Sequence, residues 1–201
     1  MANATATFGF KHIGYLGGGA PDYQTSGQYL IQSTNTTKIG FGDPVMKANA
    51  TSKYIIQATN VTTQPIIGIF QGCEFVDATG NPNRSPFWTG SANADAKAFV
   101  VDAPNALFLV ACLATSVVTS NLGDVIGWTT GAPTTTGGGF AIATVDQSTA
   151  TATSTGTTIS GLHFRVVSLY QGVGNGSDFT TNFAWCVVGF NNQINRTLGG
   201  F

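Results

Sequence analysis

Apolar and polar positions along this 201-residue chain alternate in short runs that end at Gly, Pro, Asn or Ser. Almost no window repeats at i, i+3, i+4 over three turns, the period of an amphipathic helix. The period is closer to two, the spacing of a half-buried strand, and turn residues recur between the runs. Strands are predicted over residues 27–34 (GQYLIQST), 52–59 (SKYIIQAT), 97–104 (KAFVVDAP), 106–114 (ALFLVACLA), 161–173 (GLHFRVVSLYQGV) and 182–190 (NFAWCVVGF), with a short one ending near Trp128. Residues 64–75 (QPIIGIFQGCEF) are apolar and β-branched almost throughout and read as a central strand. Gly68 and Gly72 inside it mark a bulge or a close backbone approach. Pro44 cannot donate to a ladder, so Gly42-Asp43-Pro44-Val45 reads as a turn into the start or edge of a strand. In residues 161–173 the alternation sends Leu162, Phe164 and Val166 to one face and His163 and Arg165 to a polar one. Eight to ten strands in total predict an all-β fold, an antiparallel β-barrel or β-sandwich with long loops.

Two regions break the alternation. Residues 6–29 (ATFGFKHIGYLGGGAPDYQTSGQY) combine aromatics, three consecutive glycines and no period. They predict an extended N-terminal arm over residues 1–25, ahead of a β domain over 26–201. Such an arm spans on the order of 80 Å. Laid along a neighbour, it adds strand-like hydrogen bonds and inserts aromatic anchors. Phe8, Phe10, Tyr15, Leu16 and Tyr23 are its candidate partner-binding residues. Residues 76–96 read as a long loop whose tip presents Phe87 and Trp88, a second candidate contact. Residues 147–158 (QSTATATSTGTT) are low in complexity and read as an exposed loop.

Composition narrows the function. Charged residues make up 8% of the chain, against about a quarter in an average globular sequence. Solubility rests on Thr, Ser, Asn, Gln and Gly, a mixture suited to adhesins, viral shells and tail proteins. The eight basic residues are scattered and the net charge is −1, so phosphate recognition is not expected. No apolar run reaches the roughly 20 residues that span a bilayer as a helix, and no charged-then-apolar leader is present at residue 1. Neither a membrane nor a nucleic acid is an expected partner. Cys73, Cys112 and Cys186 lie in apolar runs without CxxC spacing, which predicts buried reduced thiols. His12 and His163 follow no ligand spacing, so no metal or other cofactor is expected.

The inventory for catalysis is thin, and the reading is not an enzyme. Glu74 is the single glutamate, and a carboxylate-pair hydrolase would need Asp77 or Asp102 beside it. His163 reads as an exposed strand histidine rather than the base of a triad. The glycine clusters at residues 17–19 and 137–139 carry no Lys-Ser/Thr and fail as phosphate loops.

The order of motifs is nonetheless specific. The chain runs through ATFGFKHIGYLGGGAPDYQTSGQYLIQ, IGFGDPV, QPIIGIFQGCEF, SPFWTG, AKAFVVDAPNALFLV, GDVIGW, LHFRVVSLYQGVGN and NFAWCVVGFNNQ. This series resembles the head decoration, or cement, proteins of tailed bacteriophages over nearly its whole length. The resemblance implies a protein of the virion, made in the host cytoplasm and bound to the outer surface of the expanded capsid. There it would hold capsomers of the major capsid protein together. It also implies a homo-oligomer, trimer ahead of dimer, whose repeated contacts gain strength through multivalency. The rival reading is a tail or receptor-binding module for a host-surface glycan, for which residues 82–90 (PNRSPFWTG) offer the best aromatic platform. A shell-forming capsid protein and a virion-associated hydrolase stand further back.

Overall fold

A computed structural model describes residues 3, 7–21, 26–59, 64–90, 92–113, 119–130, 133, 141, 143–151 and 162–195. Tyr23 lies outside them. The described residues form twelve strands and a single 3-10 turn. The strands are β1 Lys11–Tyr15, β2 Ser26–Ile31, β3 Pro44–Lys47, β4 Ile55–Gln57, β5 Gly68–Val76, β6 Pro82–Ser85, β7 Ala96–Val101, β8 Ala106–Ala111, β9 Val125–Thr129, β10 Thr144–Thr151, β11 Phe164–Leu169 and β12 Trp185–Phe190. They build two antiparallel sheets of six, the arrangement of a β-sandwich. The first sheet runs β1-β8-β12-β11-β9-β10, and the second β2-β7-β5-β3-β4 with β6 on β5.

Alternation sorts the side chains into two cores. Between the sheets, Phe108 and Val110 from β8, Phe164 and Val166 from β11, and Cys186, Val188 and Phe190 from β12 meet Met46, Ile69 and Val101 of the second sheet. The neighbours of those last residues point the other way. Phe70, Cys73, Ala98 and Val100 join Ile31, Val45 and Ile55 in a second cluster. That cluster is enclosed because the second sheet curls until Leu30 of β2 bridges Tyr54 just before β4. The two edges meet at this bridge without closing a barrel.

The central strand keeps both features its glycines predict. The register of β5 on β7 shifts between Phe70 and Gly72, and Gly72 has φ +133°. A Cβ on Gly68 would lie 2.2 Å from the Val101 carbonyl oxygen, too close for any other residue. Burial of Cys73, Cys112 and Cys186 as free thiols also follows the sequence reading, and desolvation pushes the Cys73 thiol up to about 12.

Four expectations are corrected. The N-terminal ribbon is not a free arm over its described part. Lys11–Tyr15 pairs with β8, Phe10 is fully buried in the sandwich core, and Asn3 is tied to the far end of the chain. The Asn3 side-chain amide donates to the carbonyl oxygen of Asp178 (2.8 Å), while its oxygen accepts from the Gly176 amide (2.9 Å). Burying the ribbon's aromatics inside the chain removes more apolar surface from water than leaving them outside. Second, Pro82–Ser85 of the expected long loop forms β6. Third, β10 extends to Thr151, into the stretch read as an exposed loop. Fourth, His163 faces inward and is buried. Its Nε2–H donates to the Gln64 carbonyl (2.9 Å) and its Nδ1 accepts from the Trp128 indole N–H (3.2 Å). Desolvation lowers its pKa, and these partners suit a neutral ring.

Candidate docking face

The first sheet has an outward face, and its chemistry is unusual. An antiparallel sheet packed on one side ordinarily presents polar residues to water on the other. Leu107 and Leu109 alternate with the buried residues of β8, Trp185 and Val187 with those of β12, and Val167 with those of β11. All five are half-buried. Ile13 and Leu16, from β1 and the turn after it, are 37% and 59% exposed. Register places Lys11 beside Leu109 and Leu109 beside Val187. A Cβ on Gly189 would meet Val167 Cγ2 at 3.5 Å and Leu107 Cδ2 at 3.6 Å, so those two side chains close over the glycine as one patch. Lys11 and Arg165 are the charged residues among these outward positions.

An aromatic ridge borders the patch. Phe8 meets the Trp185 ring edge-on at 5.1 Å, and Tyr170 lies 5.0 Å from it on a tilt. Phe8, Lys11, His12, Phe41, Gln71, Leu109 and Trp185 surround a cavity of about 300 Å³. The ribbon and β1 form one wall, and Phe41 and Gln71 bring in the side of the second sheet.

The step at Gly42-Asp43-Pro44-Val45 holds this region in shape. The Phe10 amide donates to the Gly42 carbonyl oxygen (2.9 Å), and the Gly42 amide donates to that of Phe70 (2.8 Å). Gly9 and Gly42 have φ +69° and +89°, and a Cβ on Gly9 would lie 3.0 Å from the Gly42 oxygen. Asp43 is buried. Its carboxylate accepts from the Gly40 amide (2.7 Å), the Gln57 side-chain amide (2.8 Å) and the Thr130 hydroxyl (3.1 Å). Desolvation pushes its pKa up to about 6 against these three donors. Such a group pins three segments together; it has no open face from which to act on a substrate.

The residues singled out from sequence fall into different places. Phe8 lines the cavity and Leu16 is exposed, so these two stand on or beside the outward face, whereas half-buried Tyr15 pairs with buried Ala106 and packs against the sandwich core. Phe10 is core: its ring stacks on Phe164 at 4.3 Å, and it is not available to a partner. Trp88 is likewise buried. Its indole N–H donates to the Asn35 carbonyl (3.0 Å) and its ring lies edge-on to Phe75 at 5.8 Å. Phe87 is half-buried, with its carbonyl oxygen 3.6 Å from the Cys73 thiol. Trp88 of the expected loop-tip pair is therefore a plug in the curl of the second sheet, Phe87 beside it stays half-buried, and the glycan platform loses its tryptophan.

Sequence reasoning did not find Leu107, Leu109, Val167 or Val187 as surface residues. The signal was there in the strands around residues 107 and 187, where both alternating sets are apolar, but it is the same signal a fully buried strand gives. Glu74 is exposed and sits in register with Arg84 and Lys97, away from any cleft carrying a second carboxylate that the sequence proposed. Among the described residues no group of three or more His, Cys, Asp and Glu could hold a metal ion. Among the same residues no helix is long and apolar enough to cross a membrane. No family model, no curated protein and no solved structure matches the chain.

Proposed function

We propose that this protein is a decoration protein of a tailed-phage head, which docks the outward face of its first sheet on the outside of the expanded shell and ties capsomers together. The observation that carries the reading is the apolar face formed by Ile13, Leu107, Leu109, Val167, Trp185 and Val187, with Leu16 at its margin. A strand position that points away from its own core and is still apolar is unfavourable in water and favourable in an interface. Contiguous apolar surface rimmed by polar residues marks such sites. The motif series supplies the partner, the major capsid protein, and the setting, an oligomer of three copies around a local threefold axis. The composition suits it as well: a particle component needs a firm scaffold and contact area, and multivalent placement on a symmetric shell makes modest contacts long-lived.

The test is cosedimentation with expanded and unexpanded shells. The wild-type protein is expected to pellet with expanded shells, and Val187→Asp to remain in the supernatant while keeping a native circular dichroism spectrum. Equal pelleting of the two proteins would contradict the reading.

A further inference from the structure

The curl of the second sheet is filled at one end and open at the other. Trp88 fills the end where β5 finishes and β7 begins, edge-on to Phe75. The other end lies where β5 begins and β7 finishes, and a cleft of about 330 Å³ opens there. Its floor is Ile55 and Ile67, both buried members of the curl's own core.

The rim is polar and carries both signs of charge. The Tyr29 hydroxyl donates to Asp102 Oδ2 (2.8 Å), and the Asn195 side-chain amide reaches the same oxygen at 3.4 Å and the Asp102 carbonyl oxygen at 3.2 Å. The buried Gln193 amide donates to that carbonyl as well (2.7 Å). These bonds fix the Asp102 carboxylate in place, and among the described residues no donor meets its second oxygen, Oδ1. From the β3–β4 side come two ammonium groups, Lys47 and Lys53. Lys47 ends β3 two residues after Val45, whose side chain lies in the curl, so strand alternation sends it to the same side. It is half-buried, and among the described residues nothing pairs with its ammonium. Lys53 is exposed and stands 5.1 Å over the Tyr54 ring. The Ser52 hydroxyl between them accepts from the Tyr54 amide (3.0 Å), which leaves its proton for a ligand.

We infer that this mouth binds one monosaccharide unit bearing a single carboxylate, a uronic acid in class. Lys47 and Lys53 take the carboxylate, Asp102 Oδ1 accepts a ring hydroxyl, and the Tyr29 ring and the two isoleucines receive the C–H face of the sugar. Two ammonium groups against one carboxylate leave one net positive charge on the rim, which a monovalent acid matches. A phosphate monoester brings nearly two negative charges up to Asp102. A plain aliphatic acid leaves Asp102 and Ser52 without a partner. Ligand sites typically join an apolar lining to a few placed polar groups, and this volume sits at the lower end of their range, room for one ring rather than a chain of them. The site goes beyond the docking reading and shares none of its residues.

The probe is glucuronate, titrated into the full chain and read from the backbone amide resonances of Lys47, Lys53 and Asp102. Their shifts are expected to saturate with a dissociation constant of about 1 mM, the range for a weak ligand of this size. The Phe75 and Trp88 amides at the filled end are expected to stay in place. Glucose, which has a ring without the charge, and acetate, which has the charge without a ring, should each bind about tenfold more weakly or worse. Lys47→Met keeps the aliphatic stem and should weaken glucuronate about tenfold, the scale of a hydrogen bond to a charged group.

Resonances that stay fixed up to about 20 mM glucuronate overturn the inference. So does acetate binding as well as glucuronate, which leaves a site for any anion, and so does glucose binding as well, which removes the role of the lysines. Unchanged affinity in Lys47→Met has the same force, and the three-ligand comparison on the wild type decides the matter even where that variant fails to fold. Val187→Asp is expected to bind glucuronate as the wild type does, and Lys47→Met to pellet with expanded shells, so the sugar site and the docking face fail separately.

Discussion

The two sheets carry comparable apolar side chains and dispose of them differently. The second sheet uses both faces within the chain. Ile69 and Val101 point into the sandwich, and Phe70, Cys73, Ala98 and Val100 point into its own curl. At the end of β5, Glu74 sits between Arg84 and Lys97 and is exposed. Phe99 there is capped by the Arg84 guanidinium at 4.8 Å and the Lys97 ammonium at 5.6 Å. Three charged side chains of a charge-poor chain, Glu74, Arg84 and Lys97, are thus placed where this sheet meets water. The first sheet buries one face and leaves leucines, valines and a tryptophan on the other. Folding explains most apolar residues of the second sheet, with Leu30 and Val76 left half-buried at a shallow surface hollow. It does not explain the larger outward set of the first, and that surface is the one proposed to meet a partner.

The comparison can be broken hardest at the residues that fill the cores. Phe10→Ala in the sandwich and Trp88→Ala in the curl should each cost about 3–5 kcal/mol in denaturant unfolding, the range for truncating a buried aromatic. Removing residues 1–24, which deletes Phe10 and β1, should do more and abolish the native transition rather than leave a folded domain lacking an arm. A small loss for Phe10→Ala would return the ribbon to the role of a tether.

Asp43 comes next, as the polar pin between the sheets. A carboxyl raised to about 6 by burial holds its proton more tightly in the folded than in the unfolded chain. The stability it contributes is complete below about pH 4 and is lost as pH rises through about 6, amounting to about 3 kcal/mol by neutrality. Unfolding midpoints measured across this window should fall with pH in the wild type. In Asp43→Asn that slope should flatten, with a uniform offset of about 1 kcal/mol for the lost acceptor. An unchanged slope in the variant would assign the pH dependence elsewhere.

Outward residues sharpen the contrast with small effects on stability. Val187→Asp and Leu107→Asp should change folding stability by no more than about 1 kcal/mol, because neither side chain enters a core, yet each should abolish shell binding. Leu16→Ala should be the mildest, within about 0.5 kcal/mol in unfolding and with a partial loss of binding. The matched change Lys97→Asp on the second sheet should leave shell binding intact.

Much of the scaffold was legible in the sequence because period two survives wherever a strand buries one face. β8, β11 and β12 follow from alternation, β5 from its continuous apolar run, and the shift at Gly72 from a glycine within that run. What stayed hidden depends on contacts distant along the chain. β1 pairs with β8, some 95 residues away, and its bulge between His12 and Gly14 breaks the alternation that would have revealed it. Trp88 reads as exposed because its loop is polar, and only the curl of the second sheet gives it an interior. His163 alternates onto the polar side of its strand by count, but it precedes β11, where the pairing with Trp128 and the Gln64 carbonyl turns it inward. The proposed docking face was half visible: the sequence marked Phe8 and Leu16 but not the strand residues beside them, whose apolar alternation resembles burial on both sides, and it placed Tyr15 there although that ring packs on the core.

We propose that the outward face of the first sheet is covered by shell protein in the particle. Hydroxyl-radical footprinting of the free protein and of decorated shells addresses it directly. Strong protection on the shell is expected of Leu107, Leu109, Trp185 and Val187, with Arg84, Lys97 and Phe99 labelled equally in both states. Equal labelling of the first set, or protection confined to the second, would contradict it.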